Sequence, residues 1–280
     1  MIEITSEISQ LIEMAIAEDL QGGVDITSRA TIDPDQEGVA DYVLRSSGVI
    51  AGLPIAVEVL KRCGVTDLSI PITCAHENAP GTLVLQARGK VQALLLAERT
   101  SLNFLTHLSG IATLTRAWVD QVAGTNCEVR DTRKTTPGWR ILEKYAVRMG
   151  GGTNHRLSLS DAALIKDNHI VAAGGALKAF EMVRHQFPDA PIEIEVDTLD
   201  QLHEVLAGDP DLIMLDNMSV AQCREAVEIV RGQTKLEASG GLTIENAAAY
   251  AATGVDYIAV GALTHSAKAL DIGLDLRMDS

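Results

Sequence analysis

Four cations and a histidine stand where they could bind an anion. Arg133 and Lys134 are adjacent in "DTRKTTPGWR", His155 and Arg156 are adjacent in "GGGTNHR", and Lys166 lies in "LIKDNH". Residues 127–170 hold eight basic side chains (Arg130, Arg133, Lys134, Arg140, Lys144, Arg148, Arg156, Lys166). They hold five acidic ones (Glu128, Asp131, Glu143, Asp161, Asp167), so the window is +3 in a chain whose formal charge is −15. Arg140, Lys144 and Arg148 recur at helical spacing beside Glu143 and read as one solvated face. The other cations have no such explanation. A lone histidine is more often structural, but His155 next to Arg156 makes a loop with two donors. Guanidinium matches a carboxylate bidentately and an ammonium serves phosphate as a point charge. The ligand implied is small and polyanionic, with both carboxylates and phosphates.

The acidic counterpart is "IEIEVD", where Ile192, Ile194 and Val196 alternate with Glu193, Glu195 and Asp197. Period two puts the acids on one strand face. Buried carboxylates need cations, and Lys134 and Lys166 are the candidates. A structural ion-pair network explains Glu195 alone; together with Asp216 of "LIMLDNM" it explains less. Two small-residue turns complete the set, Ser239-Gly240-Gly241 in "ASGGLT" and Val260-Gly261-Ala262 in "VGALTHS". Each is expected to lead into a helix, the first near Thr243, whose N-terminus would favour a phosphate. One Gly-Gly pair is usually only a turn; two such turns in successive units carry more weight.

These residues share a rhythm. Reference positions near six strand-like ends are Lys134, Lys166, Glu195, Asp216, Ser239 and Gly261, at intervals of 32, 29, 21, 23 and 22 residues. That is the length of a βα unit, and six units in succession predict parallel strands closed, or nearly closed, into a barrel with its site at the strand ends. A doubly wound open sheet is the alternative, weakened by the missing Gly-rich dinucleotide fingerprint. Ahead of the barrel, helices are expected over 7–20, 53–63 and 90–108, with strands "GVADYVLR", "SGVIAG" and "TLVLQARG" between them. In "ALDIGLDL" the period returns to two, which predicts an antiparallel strand that rejoins the N-terminal domain. The domains expected are therefore 1–110 with the tail 266–280, and 111–265.

With 280 residues the chain can bury a substantial core. Cys63, Cys74, Cys127 and Cys223 form no CxxC pair, which argues against a disulfide framework or structural zinc and for a reducing compartment. Strong negative charge opposes nonspecific nucleic-acid binding. The acidic amphipathic N-terminus is no secretory signal, and the longest aliphatic run is too short to span a bilayer. A soluble cytoplasmic protein is expected.

Taken together, "DTRKTTPG", "EKYAV", "GGGTNHR", "LIKDNH", "EIEVDT", "MLDNM", "EASGGL" and "VGALTHS" resemble the quinolinate phosphoribosyltransferases, or nicotinate-nucleotide pyrophosphorylases (carboxylating). The N-terminal pieces "EDLQGGVDITS", "GVIAGLP" and "LLLAERTSLNFLTHLSGIATLT" are similar too, so the likeness runs through nearly the whole chain. The resemblance implies an N-terminal α/β sandwich domain, a C-terminal open α/β barrel of parallel strands, and a homodimer. It implies conversion of quinolinate and 5-phosphoribosyl-1-pyrophosphate, with magnesium and no organic cofactor, to nicotinate mononucleotide, pyrophosphate and carbon dioxide in de novo NAD biosynthesis. On the matching positions, Arg133, His155, Arg156 and a partner's Arg99 would hold the two carboxylates, with Thr132 beside them. Lys134 and Lys166 would face the anions, and Glu195 and Asp216 the ribose and magnesium, directly or through water. The 239–241 and 260–262 turns would take the 5-phosphate. Three other readings compete. They are a class I aldolase-like barrel with Lys166 as Schiff-base lysine, a related molybdenum-transport-associated protein, and a non-catalytic anion-binding protein.

Overall fold

The computed structural model describes residues 2–72 and 76–278, so Cys74 and the last two residues of the expected tail strand lie outside it. The strands are β1 (Glu37–Leu44), β2 (Gly48–Val49), β3 (Asp67–Ser69), β4 (Glu77–Asn78), β5 (Leu83–Lys90) and β6 (Glu128–Arg130). They continue with β7 (Ala163–Ile165), β8 (Ile192–Val196), β9 (Leu212–Asp216), β10 (Lys235–Ser239), β11 (Tyr257–Ala259) and β12 (Ile272–Met278). There are two compact units: residues 1–114, 136–151 and 266–280 form one, and residues 115–135 and 152–265 form the other.

The first unit is built on an antiparallel sheet of order β12-β1-β5-β3. In β1, Val39, Ala40, Tyr42 and Leu44 are fully buried. The Tyr42 hydroxyl lies 2.7 Å from Ser101 Oγ, so its polar end is satisfied inside the core. The tail strand β12 pairs with β1 from Gly38↔Met278 to Leu44↔Ile272, as its period of two predicts. Helix Ser6–Leu20 is capped by Thr5, and the "DITS" turn is a helix start in which Asp25 Oδ1 accepts the Ser28 N–H at 3.0 Å.

The long helix spans Val91–Gln121, well past the expected end at 108, because the apolar stripe continues through Ile111, Ala112 and Trp118, all buried. At Gly110 a Cβ would lie 2.1 Å from the Lys268 carbonyl oxygen, so only glycine lets the tail segment pass.

Residues 136–151 belong to this unit although the sequence placed them with the barrel. Helix Arg140–Met149 buries Leu142, Tyr145, Ala146 and Val147. The expected solvated face is also corrected here. Arg148 is exposed, but Lys144 and Glu143 are fully buried. Glu143 accepts the Thr136 N–H at 3.1 Å and lies 2.9 Å from His107 Nε2, while Trp139 stacks on Phe104 at 4.7 Å.

The second unit holds six parallel strands in the order β6-β11-β10-β9-β8-β7. Apart from one break this is chain order around a ring. The first strand pairs with the last (Glu128↔Tyr257 to Arg130↔Ala259), and β6 and β7 do not pair. An isolated bridge, Arg130↔Thr153, stands at that seam. A doubly wound sheet would reverse its order outward from an inner strand. The architecture is an open α/β barrel. Among the described residues no helix is long and apolar enough to cross a membrane.

Candidate active site

At the C-terminal ends of the barrel strands lies a cavity of about 720 Å³. Thr132, Arg133, Lys134, His155, Arg156, Lys166, Glu195, Asp216, Ser239, Gly240, Gly241, Val260, Gly261 and Ala262 all line it. Of the residues expected at the site, Arg99 alone belongs to the first unit. It lies on the long helix with its side chain 64% exposed, 3.9 Å from Glu98. The sequence did not single out Asn217 and His265, which also line the cavity. Each stands inside a quoted motif, "MLDNM" and "VGALTHS", and that was the available signal.

Local structure explains the cationic wall. β6 ends at Arg130, so Arg133 and Lys134 lie in the loop after the strand rather than at its tip. Asp131 is buried and ties this loop to the next. Its Oδ1 accepts the His155 N–H at 2.9 Å and its Oδ2 accepts Asn154 Nδ2 at 2.5 Å. Thr264 Oγ1 donates to the Lys134 carbonyl at 2.7 Å. A Cβ on Gly261 would stand 3.0 Å from Lys134 Cδ, so glycine leaves that side chain its path. Arg156 is pinned by Nη1 donating to the Ala162 carbonyl at 2.8 Å. Its pKa is lowered by burial and then by the charge of Arg133. The Nε atoms of both Arg133 and Arg156 are buried without a hydrogen-bond partner among the described residues. Two neighbouring guanidinium groups lining one cavity favour an anion there.

The acidic wall comes from β8 and β9. As the alternation predicted, Glu195 points into the barrel, nearly buried, with Oε2 2.6 Å from Lys166 Nζ. Lys134 was the other expected partner, but the ion pair found is with Lys166. Lys166 caps the following helix: its backbone N–H is accepted by His169 Nδ1 at 2.9 Å. Asp216 closes β9 and takes Asn217 Nδ2 at 2.6 Å. Burial, then the charges of Glu195 and Asp197, raise its pKa. One oxygen from each of Glu195, Asp197 and Asp216 can be chosen so that all lie within 4.8 Å of one another. An all-oxygen, hard donor set that repels itself suits a magnesium ion, which needs few protein ligands.

The two small-residue turns differ from expectation in one respect. After Ser239-Gly240-Gly241 the helix is Ala247–Ala251, not one beginning near Thr243, and after Val260 it is Ala262–His265. Asn246 Oδ1 accepts the Thr243 N–H at 2.8 Å, so a turn replaces the first helical residues. Helices of five and four residues carry little macrodipole. The backbone offers conformation instead, because Gly240 (φ +81°) and Gly241 (φ +61°) are both left-handed.

Further inside the barrel His155, expected among the carboxylate-binding residues, meets Arg130, Glu193 and Glu237, to which the sequence assigned no role. His155 Nε2 lies 2.6 Å from Glu193 Oε2 and 3.6 Å from Glu237 Oε1, and Arg130 Nη1 is 2.9 Å from Glu237 Oε2. Burial pushes the Glu193 and Glu237 carboxyls up to about 7 each, and the charge of Glu193 adds to the shift of Glu237. A stability prediction follows for Glu237→Gln. The folded-state value lies above the ordinary 4.5, so folding costs nothing at this group while both states are protonated and costs most once pH exceeds about 7. Thermal melts should show the variant's stability relative to wild type improving from roughly pH 5.5 to roughly pH 8. An equal difference at both pH values would refute it.

Comparison with known proteins agrees with this geometry. The family description "Quinolinate phosphoribosyl transferase, C-terminal domain" matches residues 111–275, and that of the N-terminal domain matches residues 25–109. The chain is 51% identical to a nicotinate-nucleotide pyrophosphorylase (carboxylating) of Mycobacterium leprae over 95% of each chain. It is 39% identical to a probable enzyme of that name from Bacillus subtilis, over 98% of this chain and 95% of the other. The solved nicotinate-nucleotide pyrophosphorylase from Francisella tularensis superposes with a TM-score of 0.92 at 38% identity, covering 97% of this chain and 96% of that one. The chain belongs to the quinolinate phosphoribosyltransferase family.

Proposed function

We infer that this chain carries out the reaction for which its family is named, joining quinolinate to 5-phosphoribosyl-1-pyrophosphate and releasing pyrophosphate and carbon dioxide in NAD biosynthesis. The observation that carries the reading is one cavity lined both by the cations Arg133, Lys134, Arg156 and Lys166 and by the carboxylates Glu195 and Asp216. Arg133 and Arg156 hold the quinolinate carboxylates. His155 enters through Arg156, whose backbone N–H its Nδ1 accepts at 2.8 Å. Lys134 and Lys166 neutralise the pyrophosphate, and the 239–241 and 260–262 turns take the 5-phosphate through backbone N–H groups.

Chemically, the ring nitrogen bonds to C1 of the ribose as the C1–O bond to pyrophosphate breaks. Positive charge grows on the sugar during that step, as in glycoside cleavage, and Glu195 and Asp216 stabilise it in a site sheltered from water. The carboxylate on C2 then leaves as carbon dioxide. Its electron pair remains at C2 beside the now quaternary nitrogen, and C2 takes up a proton. Magnesium, held by Glu195 and Asp216 directly or through water, would add charge neutralisation on the pyrophosphate oxygens. The free thiols of Cys63, Cys127 and Cys223 support a reducing, cytoplasmic setting.

The test is direct: purified protein with quinolinate, phosphoribosyl pyrophosphate and magnesium should yield nicotinate mononucleotide. Nicotinate, lacking the second carboxylate, should be a poor substrate, and chelation of magnesium should stop turnover. Absence of product with quinolinate would overturn the reading. A Lys166 Schiff base predicts borohydride trapping with a carbonyl substrate instead.

We also place Arg99 in a partner subunit's site within a homodimer, since its guanidinium is exposed and no nearer to Glu98 than 3.9 Å. Arg99→Ala and Glu195→Ala should each be nearly inactive alone. Mixed under exchange conditions, half the dimers are hybrid and each hybrid regains one intact site, so about a quarter of wild-type activity should return. No recovery in demonstrably mixed dimers would sink the shared-site assignment.

A further inference from the structure

We propose that Glu237, paired with Arg130, is a positioning residue that fixes the His155 ring and through it the carboxylate-binding Arg156. The inference rests on the assignment of Arg156 to quinolinate made above. Glu237 lies on β10, two residues before Ser239, and is fully buried, so it touches no substrate. Its Oε2 is held by Arg130 at 2.9 Å, and the Arg130 guanidinium lies 4.3 Å over the Tyr257 ring. That stack leaves the carboxylate little freedom. Its Oε1 and Glu193 Oε2 face His155 Nε2 at 3.6 and 2.6 Å.

The other side of the ring settles the tautomer. Nδ1 accepts the Arg156 backbone N–H at 2.8 Å, so it carries no proton, and the ring hydrogen must sit on Nε2 toward the two carboxyls. Nδ1 is thus hydrogen-bonded to the backbone, and Nε2 stands in close contact with Glu193, with Glu237 next nearest. His155 is a strut between a buried acidic floor and the backbone of Arg156, and its own N–H is anchored on Asp131 Oδ1 at 2.9 Å.

Two blander accounts fit less well. A buried ion pair kept only for stability is seldom better than apolar packing of the same volume. A metal centre is suggested by His155, Glu193 and Glu237, which offer donor atoms within 4.8 Å of one another, but the Arg130 guanidinium already occupies Glu237 Oε2. A cation there would meet a fixed positive charge.

The experiment is steady-state kinetics of Glu237→Gln, which keeps size and shape and removes the charge that orients the imidazole. KM for quinolinate should rise about tenfold, while KM for phosphoribosyl pyrophosphate and kcat stay within about twofold, the split expected for lost ground-state binding. Unchanged quinolinate KM, or both KM values and kcat worsening together, overturns the proposal. Should the variant not fold, nitrogen-15 spectra of the wild-type histidines decide: His155, identified by the signal missing from His155→Gln, must show an unprotonated Nδ1. A Nδ1-protonated His155 overturns the proposal as well. If wild type turns over no quinolinate the functional reading fails, and the tautomer measurement still reports on the strut.

Discussion

Glu195→Ala should lower kcat for nicotinate mononucleotide formation by about 10²–10³, and Asp216→Ala should do nearly the same. Glu195 is nearly buried, its carboxylate 2.6 Å from Lys166, and Asp216 is raised in pKa because burial and two neighbouring carboxylates disfavour its charge. A folded chain holds such charges together only if something of opposite sign comes to meet them. In the reaction inferred here that partner is the sugar as its bond to pyrophosphate breaks, and the charge that develops there is absent from the ground state. Loss should therefore fall on kcat more than on KM.

Glu195→Gln separates charge from shape, because the amide keeps the side chain's size and an acceptor for Lys166. It should be nearly as slow as Glu195→Ala. The double variant should be much less impaired than the product of the two singles, since the groups act on one developing charge. Near-normal turnover in both single alanine variants, measured under saturating substrates with protein shown to be folded, would remove the carboxylates from the mechanism.

Gly240→Ala should raise KM for phosphoribosyl pyrophosphate by about two orders of magnitude and lower kcat, whereas Gly241→Ala should cost only a few-fold. Both glycines are left-handed, at φ +81° and +61°, so alanine at either costs about 1–2 kcal/mol of backbone strain. They differ in surroundings. A Cβ on Gly240 would stand 2.2 Å from Asn217 Oδ1, 2.7 Å from its Cγ and 3.0 Å from its backbone N, while one on Gly241 would meet nothing within 4 Å.

Asn217 cannot simply yield. Its backbone is left-handed at φ 54°, its N–H is bonded to the Ser239 carbonyl at 2.8 Å, and its Nδ2 holds Asp216 Oδ2 at 2.6 Å. One methyl would therefore disturb the 239–241 turn and the Asp216 carboxylate together. Equal effects from the two substitutions would show that conformational strain alone, and not this contact, governs the turn.

Much of this was legible from spacing. Period two in "IEIEVD" located Glu195 on the inner face, because strand geometry alternates whatever the fold. The intervals between strand ends gave the barrel, because a βα unit has a narrow length range. Local competition was not legible. Asn246 accepting the Thr243 N–H puts a turn where a helix was expected to begin, and the two glycines ahead of it are left-handed.

Lys144 shows the same limit from another side. Its spacing with Arg140 and Arg148 mimics a surface stripe, and only tertiary packing reveals that it is buried. Glu237 and Arg130 read as ordinary polar strand residues. Their pairing joins positions 107 residues apart, beyond any local pattern. Arg99 became a candidate through family resemblance alone.

The tail strand carries a consequence for how the molecule is made. β1 ends at Leu44, yet its partner begins at Ile272, so on an elongating chain the first sheet keeps an open edge while more than two hundred further residues are made. The barrel strands β6 to β11 lie wholly between those partners and emerge earlier. Vectorial folding should thus complete the barrel before the N-terminal sheet is sealed, and in the interim the unpaired edge of β1 is the segment most in need of a chaperone.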